Sequence, residues 1–321
     1  MFTIYYKKYL YENNHSNKKD GLAMIDLEEL FKEINAFMNE RCTKDNTTKE
    51  ERIKSVAELV RNYNAKLDVS IDMPVTAYDF MDLAESASSR KNKMDYLQIA
   101  LELEPDNLDA GLELAKLNAK DPHVYLETLN GLIAKGDKQM KDMGYLPKSI
   151  GDFWMIIDTR PYMRLCYERM KTCIDCGMIG KAIAEAERML KLCENDNLGV
   201  RYKLMHLYVY QENEKAACKV YKKHGGKETQ MLLPLAVLYY KLGNFDKAFE
   251  YLNELRKVNK DTKKFFSGIV HRNLYKYDCD GFPYVYELGV LSELMVDMTN
   301  NKYLFDSVPH FFKWANMKLK R

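Results

Sequence analysis

Apolar residues recur along most of this chain at the spacing of an amphipathic α-helix. The segment from Leu235 to Leu252 is the plainest case, with an apolar stripe, a Gly-Asn turn at Gly243 and a second stripe that includes Ala248. Apolar residues three or four positions apart share one face of a helix, and Gly-Asn favours a tight turn. The segment therefore predicts two helices joined by a short turn.

The same layout recurs twice upstream of this segment. The small residues expected where paired helices cross are Ala182, Ala216 and Ala248, at intervals of 34 and 32 residues. Close crossing of two helices leaves room only for a small side chain. A helix–turn–helix period of about 34 residues is that of the tetratricopeptide repeat, so three such units are predicted over residues 159–262.

Further helices are predicted on both sides of these units. Upstream, a degenerate pair of repeats is followed by an irregular insert that contains Gly144, Pro147 and Gly151. The expected segments are a polar N-terminal arm (1–23), an N-terminal helical cap (24–74), the degenerate pair (75–135), the insert (136–158) and C-terminal capping helices (263–321). The helices expected in the degenerate pair and the C-terminal cap are Ala77–Ser88, Met94–Leu103, Leu108–Asn118, Pro122–Ala134, Tyr284–Met298 and Val308–Lys318. The predicted fold class is all-α, a right-handed superhelical solenoid of tetratricopeptide type.

Composition agrees with a helical chain and narrows the class of partner. Gly (15) and Pro (8) are scarce among the 321 residues, whereas 46% of the residues are hydrophobic, which is enough to bury a core. The 49 Lys and Arg residues nearly cancel the 47 Asp and Glu residues, and the net charge is +2. This balance argues against bulk electrostatic capture of nucleic acid or of an anionic membrane.

Cysteine usage and the lack of targeting signals indicate a compartment. The seven cysteines are odd in number and irregularly spaced, which does not fit a disulfide framework. The N-terminal residues lack the apolar core of a signal peptide, and the longest apolar run, Met231–Tyr240, falls well short of the roughly twenty residues of a membrane-spanning helix. A soluble, cytoplasmic protein is expected.

Three blocks of sequence resemble a known family. They are Gly-Asp-Phe-Trp at 151–154, Asp-Thr-Arg-Pro-Tyr-Met-Arg at 158–164 and Asn-Asp-Asn-Leu-Gly-Val-Arg-Tyr at 195–202. Together they resemble a group of bacterial tetratricopeptide proteins near the suppression-of-tumorigenicity-seven family, over roughly residues 75–315. The resemblance implies a repeat fold and brings no enzymatic activity with it. The chain departs from the group's pattern at Met155, Cys193 and Glu194, which affects the expected shape of the loops.

Motifs for catalysis and metal binding give little support to an enzyme. Cys173-x-x-Cys176 has no second pair to complete a four-ligand zinc site, and the repeat places Cys166 and Cys173 in the core. Phe153 and Trp154 are expected to anchor the insert rather than to carry a cofactor. No Walker loop, G-x-S-x-G or H-E-x-x-H motif occurs in the sequence. No cofactor and no metal are therefore expected, and the chain is predicted not to be an enzyme.

Cationic and aromatic side chains form the candidate binding site. Arg160 and Arg164 lie four residues apart at the start of a predicted helix, and Tyr167 and Lys171 continue their face. The positions expected to extend this concave groove along the next repeats are Arg201, Met205, Tyr208 and Tyr240. Guanidinium groups bind carboxylates and tyrosines pack against side chains, so the groove fits a protein or peptide segment, and an acidic one best.

A structural role for the arginines is the alternative. Arg160 is placed to bind loop carbonyls or Asp158 and so to fix the insert. Arg164 lies one turn from Glu168, with which it can pair. A structural role is likewise the alternative for Arg201. Charged groups in helical arrays more often pair with neighbours than bind ligands.

The leading interpretation is a non-catalytic interaction scaffold, because repeat arrays provide extended concave surfaces without a catalytic constellation. Two alternatives stay open. A peptide-sensing regulator would require an N-terminal DNA-binding module, and Ile53–Asn64 offers no clear recognition helix. An enzyme with an unrecognised site near the insert would use Asp158, Arg160 and Tyr162.

Overall fold

The chain divides into two compact units, Met1–Ser86 and Ala87–Arg321. The computed structural model of the protein describes three ranges, residues 76–224, 226–271 and 286–320. In the first unit the described part is one helix, α1 (Ala77–Ser86). The predicted N-terminal arm (1–23) and helical cap (24–74) lie outside the described residues. The division falls inside the predicted degenerate repeat pair, since that pair was expected to begin with this helix.

The second unit is an array of helices. Its α-helices are α2 (Arg90–Leu103), α3 (Leu108–Asn118), α4 (Pro122–Asp142), α5 (Arg160–Asp175), α6 (Ile179–Leu192), α7 (Val200–Tyr210), α8 (Glu214–His224), α9 (Thr229–Lys241), α10 (Phe245–Val258), α11 (Thr262–Val270), α12 (Leu291–Asn300), α13 (Lys302–Asp306) and α14 (Pro309–Lys320). No β-strand occurs within the described ranges. Consecutive helices pack against each other, and the first helices of neighbouring pairs also meet, α3 with α5 and α7 with α9. The predicted all-α solenoid of tetratricopeptide type is confirmed.

Side-chain caps explain where several helices begin. Asn107 accepts a hydrogen bond from the Ala110 amide (2.9 Å) and starts α3 at the residue that the sequence predicts. Asp121 accepts one from the His123 amide (2.8 Å) at the start of α4, where Pro122 occupies the first helical position. Short polar side chains at the cap satisfy amides that have no partner within the helix, and proline needs none at that position.

Helix α4 is longer than the sequence predicts. It continues to Asp142 instead of ending at Ala134, so the irregular insert begins at Met143 and not at Gly136. Gly136 lies under the ring of Tyr162, where a Cβ atom would come within 2.7 Å of the ring carbon Cδ2. The glycine therefore serves the close approach of α4 and α5, and it does not mark a helix end.

The crossing alanines fix the register of the three repeats. Ala182, Ala217 and Ala248 are fully buried, and each is the fourth residue of the second helix in its pair. Ala216, which was selected by aligning the three repeats with one another in sequence, is only partly buried. The crossing residue of the middle repeat is thus Ala217, and the intervals become 35 and 31 residues, not 34 and 32.

The turn inside each pair agrees with this register. Gly177, Glu212 and Gly243 have φ values of 69°, 57° and 73°, and they are also 35 and 31 residues apart. Glycine adopts this left-handed conformation without strain, whereas a side chain makes it less favourable. The middle repeat carries Glu212 at this position, so it lacks the glycine that marks the turn in the other two repeats.

The sulfur atoms of α5 lie in the core, as the sequence predicts. Cys166 and Cys173 are buried free thiols. Burial raises the pKa of the Cys166 thiol, against the nearby positive charge of Arg188, whose guanidinium donates to Sγ. Such a thiol stays protonated and behaves as a small apolar group.

The C-terminal helices lie against the repeats. Helix α12 packs on α9, α13 packs on α7, and α14 packs on α10 and α11. Residues 286–290 precede α12 without helical structure, so this helix begins later than the predicted Tyr284. Helix α14 matches the predicted closing helix to within two residues at each end, whereas α13 was not predicted.

Candidate functional site: the inner face of the repeats

The register of the repeats defines one face shared by their first helices. Lys171 on α5, His206 on α7 and Val237 on α9 each lie six residues before the turn residue of their own pair. Arg164, Lys203 and Gln230 lie three or seven residues before these positions, so they share the same side of each helix. We call the face lined by these six residues the inner face.

Two of the predicted groove residues do not lie on the inner face. Met205 is fully buried, and Tyr208 is only 7% exposed and donates its hydroxyl hydrogen bond to Glu187 on α6. A shift of one residue turns a side chain by about 100° around a helix. The alignment of the repeats, which was one residue out in the middle repeat, therefore selected Met205, which packs in the core, instead of His206.

Arg201 holds the turn that precedes α7. Its guanidinium donates to Asp196 (2.9 Å) and lies over the ring of Tyr202 at 4.1 Å from the ring centre. Burial opposes the charge of Arg201, but the hydrogen bond and attraction from Asp196 outweigh this effect and raise its pKa. Asp196 also accepts the amide hydrogen bond of Val200 (2.7 Å). The geometry agrees with the structural alternative for this arginine.

Arg160 fixes the insert. Its Nε donates to the carbonyl oxygen of Trp154 (2.9 Å), and the guanidinium carbon lies 5.6 Å from the centre of the indole ring. Phe153 is fully buried, and its amide donates to the carbonyl of Leu192 (3.0 Å). The Glu194 amide donates in return to the carbonyl of Gly151 (2.8 Å). Thus the block at 151–154 meets residues 192–194, which directly precede the block at 195–202, and Arg160 holds this junction as the structural alternative expected.

Arg164, Tyr167 and Lys171 remain accessible on α5. Arg164 forms a two-pronged ion pair with Asp109 on α3, and 42% of its side chain is exposed. Lys171 lies 3.3 Å from Glu168, and 46% of its side chain is exposed. Tyr167 is half-buried, and burial followed by the Glu168 charge raises its pKa. Each cation has one carboxylate partner and also faces solvent.

The chain's own C-terminal segment covers the inner face over α7 and α9. His206 and Asp297 form a fully buried contact between their Nε2 and Oδ1 atoms (3.1 Å). Lys203 donates to the carbonyl of Asn300 and to Oδ1 of Asn301 (3.3 Å). Burial lowers the pKa of Lys203 to about 8, against the attraction of Asp297. These polar contacts, of which that between His206 and Asp297 is fully buried, hold α12 and its end on α7.

Contacts at α9 complete this cover. Gln230 donates to the hydroxyl of Tyr286 (2.8 Å), and the ring of Tyr240 packs between Phe311 and Trp314 of α14, with both ring centres 5.3 Å away. Tyr240, which the sequence placed in the groove, thus lies beneath α14. Of the predicted site residues on α5, Arg164 and Lys171 are exposed and Tyr167 is half-buried, whereas Arg160 holds the insert. Met205, Tyr208 and Tyr240 contact other parts of the chain.

The residues of the alternative enzyme site have separate partners. Asp158 accepts a hydrogen bond from the hydroxyl of Tyr145 (2.8 Å), whereas Tyr162 is fully buried and bonds to Asp137 and Arg188. Across the part of the chain that the structure describes, no three His, Cys, Asp or Glu side chains are grouped to hold a metal ion. No helix in the described ranges is long and apolar enough to cross a bilayer.

Comparison with solved structures finds a likeness at low sequence identity. No family model matches the chain, and no curated protein matches it. A solved structure to which the chain is similar is that of the MamA protein, at 17% sequence identity and a TM-score of 0.42, over 60% of this chain and 95% of that chain. The assignment of the fold rests on the helix pairs and their register.

Proposed function

We propose that this chain is a non-catalytic, cytoplasmic scaffold that binds a protein segment on the inner face, where α5 leaves that face open. The observation that carries the proposal is the position of the C-terminal segment over α7 and α9. The same face, one repeat earlier, presents Arg164, Tyr167 and Lys171 without such a cover among the described residues. A face that already holds helices of its own chain is suited to hold a helix of another.

The charges of α5 favour an acidic segment. The ion pairs of Arg164 with Asp109 and of Lys171 with Glu168 lie at the surface, with the cation more exposed than the carboxylate in each. Surface pairs contribute only about 0–1 kcal/mol. A carboxylate of a partner can therefore join or replace the internal partner at small cost. The guanidinium fork of Arg164 suits a two-pronged contact, and the ring of Tyr167 supplies apolar area beside it.

The remaining predicted groove residues have supporting roles in this proposal. Arg160 and Arg201 hold the insert and the turn before α7, and Met205 and Tyr208 pack the helices that carry the face. Tyr240 seats α14. The resemblance to the suppression-of-tumorigenicity-seven-like group remains a hypothesis and adds no activity. Nucleic acid and membrane are not partners in this proposal, and buried free thiols such as Cys166 and Cys173 suit a reducing compartment.

Charge reversal on α5 tests the proposal. The variant Arg164→Glu with Lys171→Glu should lose a partner captured by the unmodified protein, and the isolated partner segment should bind it about tenfold or more weakly by calorimetry. The matched control is Lys181→Glu with Lys191→Glu, which places the same charge change on two exposed lysines of α6. Equal binding by both double variants would remove α5 from the interface.

A further inference from the structure

Helices α11 and α14 form a pair that carries lysines and no acidic residues. They pack through phenylalanines, with ring centres 5.8 Å apart for Phe266 and Phe311 and 6.4 Å apart for Phe265 and Phe312. Neither helix contains Asp, Glu or Arg. The lysines of the pair are Lys263, Lys264, Lys313, Lys318 and Lys320, and all of them except the half-buried Lys318 are exposed. This concentration of one sign contrasts with a whole-chain net charge of +2.

The lysines of this pair have no ionic partners among the residues that the structure describes. None of the five forms an ion pair with a carboxylate of the described residues, whereas Arg164, Arg169 and Lys171 of α5 do. Lys263 and Lys264 also lie in the first turn of α11, where the helix dipole disfavours positive charge. Lys318 and Lys320 lie in the last turn of α14, where the dipole favours it. The dipole therefore accounts for two of the five lysines only.

One side of α14 combines charge with apolar area. His310, Lys313, Met317 and Lys320 lie three or four residues apart and are all exposed, so they form one row, which we call the lysine row. Met317 is 54% exposed between the two cations. The opposite side of α14 is buried in the core. The neighbouring helix α10 carries the exposed acidic residues Asp246 and Glu250. The basic surface therefore ends on that side.

We propose that the lysine row of α14, together with the cations of α11, is a second docking surface. Its partner is an acidic protein segment that carries an apolar side chain in contact with Met317. Charge complementarity favours carboxylates opposite Lys313 and Lys320. The row is separate from the inner face, so this inference does not depend on the function proposed for α5.

The chemistry of α14 disfavours a membrane as the partner. A helix that binds a bilayer inserts its apolar side, and that side of α14 is already buried through Phe311, Phe312, Ala315 and Leu319. Met317 and part of Trp314 are the apolar area that remains outside.

A nucleic acid also fits poorly. Bases stack on free aromatic rings, but the indole of Trp314 packs against Tyr240, Phe245 and Phe311, with ring centres between 5.3 and 6.0 Å away. The pair lacks arginine, which dominates contacts to base edges, and the sequence pI is about 8.0, below the range above 9 typical of nucleic-acid-binding domains.

Binding of a fluorescent peptide of alternating glutamate and leucine, followed by anisotropy, tests the inference. The full chain should bind this peptide, and a glutamine-for-glutamate peptide should bind much more weakly. Lys313→Glu with Lys320→Glu should weaken binding about tenfold, whereas Lys222→Glu with Lys223→Glu, two exposed lysines of α8, should change it less than about twofold. Met317→Ser should weaken binding with no change in its salt dependence.

The outcomes separate the possible partners. All substitutions are at exposed positions, so circular dichroism and thermal unfolding should match those of the unmodified chain. Equal losses in both double lysine variants, or no binding of the acidic peptide, would overturn the inference. The chain could instead bind phosphatidylserine vesicles or single-stranded DNA more tightly than the peptide. If that binding were lost in the double variant Lys313→Glu with Lys320→Glu, the partner of the lysine row would be the membrane or the nucleic acid and not an acidic segment.

Discussion

The substitution Gly136→Ala tests how α4 packs on α5. In an exposed helix interior, glycine to alanine stabilises a protein by about 1 kcal/mol, because alanine restricts the unfolded chain and favours the helix. At Gly136 the added Cβ atom would lie 2.7 Å from Cδ2 and 3.1 Å from Cε2 of Tyr162, and 3.2 Å from a methyl carbon of Leu108. A contact below 3.0 Å requires the ring or the helix to move.

The ring of Tyr162 has little freedom to move. It is fully buried, its hydroxyl bonds to Asp137 and Arg188, and its ring centre lies 6.0 Å from that of Phe153. Insertion of a methyl group into a packed site of this kind costs about 1–3 kcal/mol. Set against the helix gain of about 1 kcal/mol, Gly136→Ala should lower the free energy of unfolding by about 0–2 kcal/mol.

Gly131 offers a matched control in the same helix. It is exposed, and a Cβ atom there would meet nothing within 4 Å, so Gly131→Ala should stabilise by up to about 1 kcal/mol. The two variants should therefore differ by about 1–3 kcal/mol in denaturant unfolding, or several degrees in Tm for a chain of this size. If Gly136→Ala stabilised as much as Gly131→Ala, Tyr162 would not cover Gly136, and the packing of α4 on α5 described above would be wrong.

Two further predictions concern the insert and the cover of α7. Phe153→Ala should lower the free energy of unfolding by about 3–5 kcal/mol in denaturant unfolding, because it empties a fully buried site. The control Ile157→Ala, at a 73% exposed position, should change it by less than about 0.5 kcal/mol. Equal effects of the two variants would show that Phe153 does not anchor the insert. Burial lowers the pKa of Lys203 to about 8, below its unfolded value of 10.5, so between these pH values the unfolded chain binds more protons and stability should rise with pH. Thermal unfolding from pH 8 to 10 should show this rise in the unmodified chain relative to Lys203→Met, and parallel curves would contradict it.

Local signals predicted the helices well. Asn107 and Pro122 mark helix starts through interactions with the first turn of their own helix, so α3 was located to the residue and the start of α4 was also correct. At Gly136 the sequence predicted a helix end where the helix continues. This glycine is required by the close approach of the Tyr162 ring from the neighbouring helix, and a glycine required for packing cannot be told in sequence from one that ends a helix.

The sequence misplaced the register of the middle repeat by one residue, and the reason is local. Its turn carries Glu212 in the left-handed conformation that Gly177 and Gly243 adopt in the other repeats. Without that glycine, the adjacent alanines at 216 and 217 cannot be told apart in sequence, and an error of one residue moves a side chain from the inner face into the core. The positive φ at Glu212 is the feature that restores the alignment.

The cover over the inner face could not be predicted from local pattern. His206 and Asp297 are 91 residues apart in sequence, and each looks like an ordinary polar residue of an amphipathic helix. Their mutual burial depends on how α12 returns to α7, which is a property of the packed chain. For this reason the sequence assigned the whole first-helix face to a partner, whereas the described structure leaves mainly the α5 part open.

A double-mutant cycle between His206 and Asp297 tests the register and the cover together. The variants His206→Leu, Asp297→Asn and their combination are compared by denaturant unfolding, with His206→Leu and the exposed Glu287→Gln as the control cycle. A fully buried contact of 3.1 Å predicts a coupling energy of about 1 kcal/mol or more, and the control cycle should be additive to within about 0.5 kcal/mol. Additivity at His206 and Asp297 as well would mean that α12 does not cover α7, and that the inner face is not the one described here.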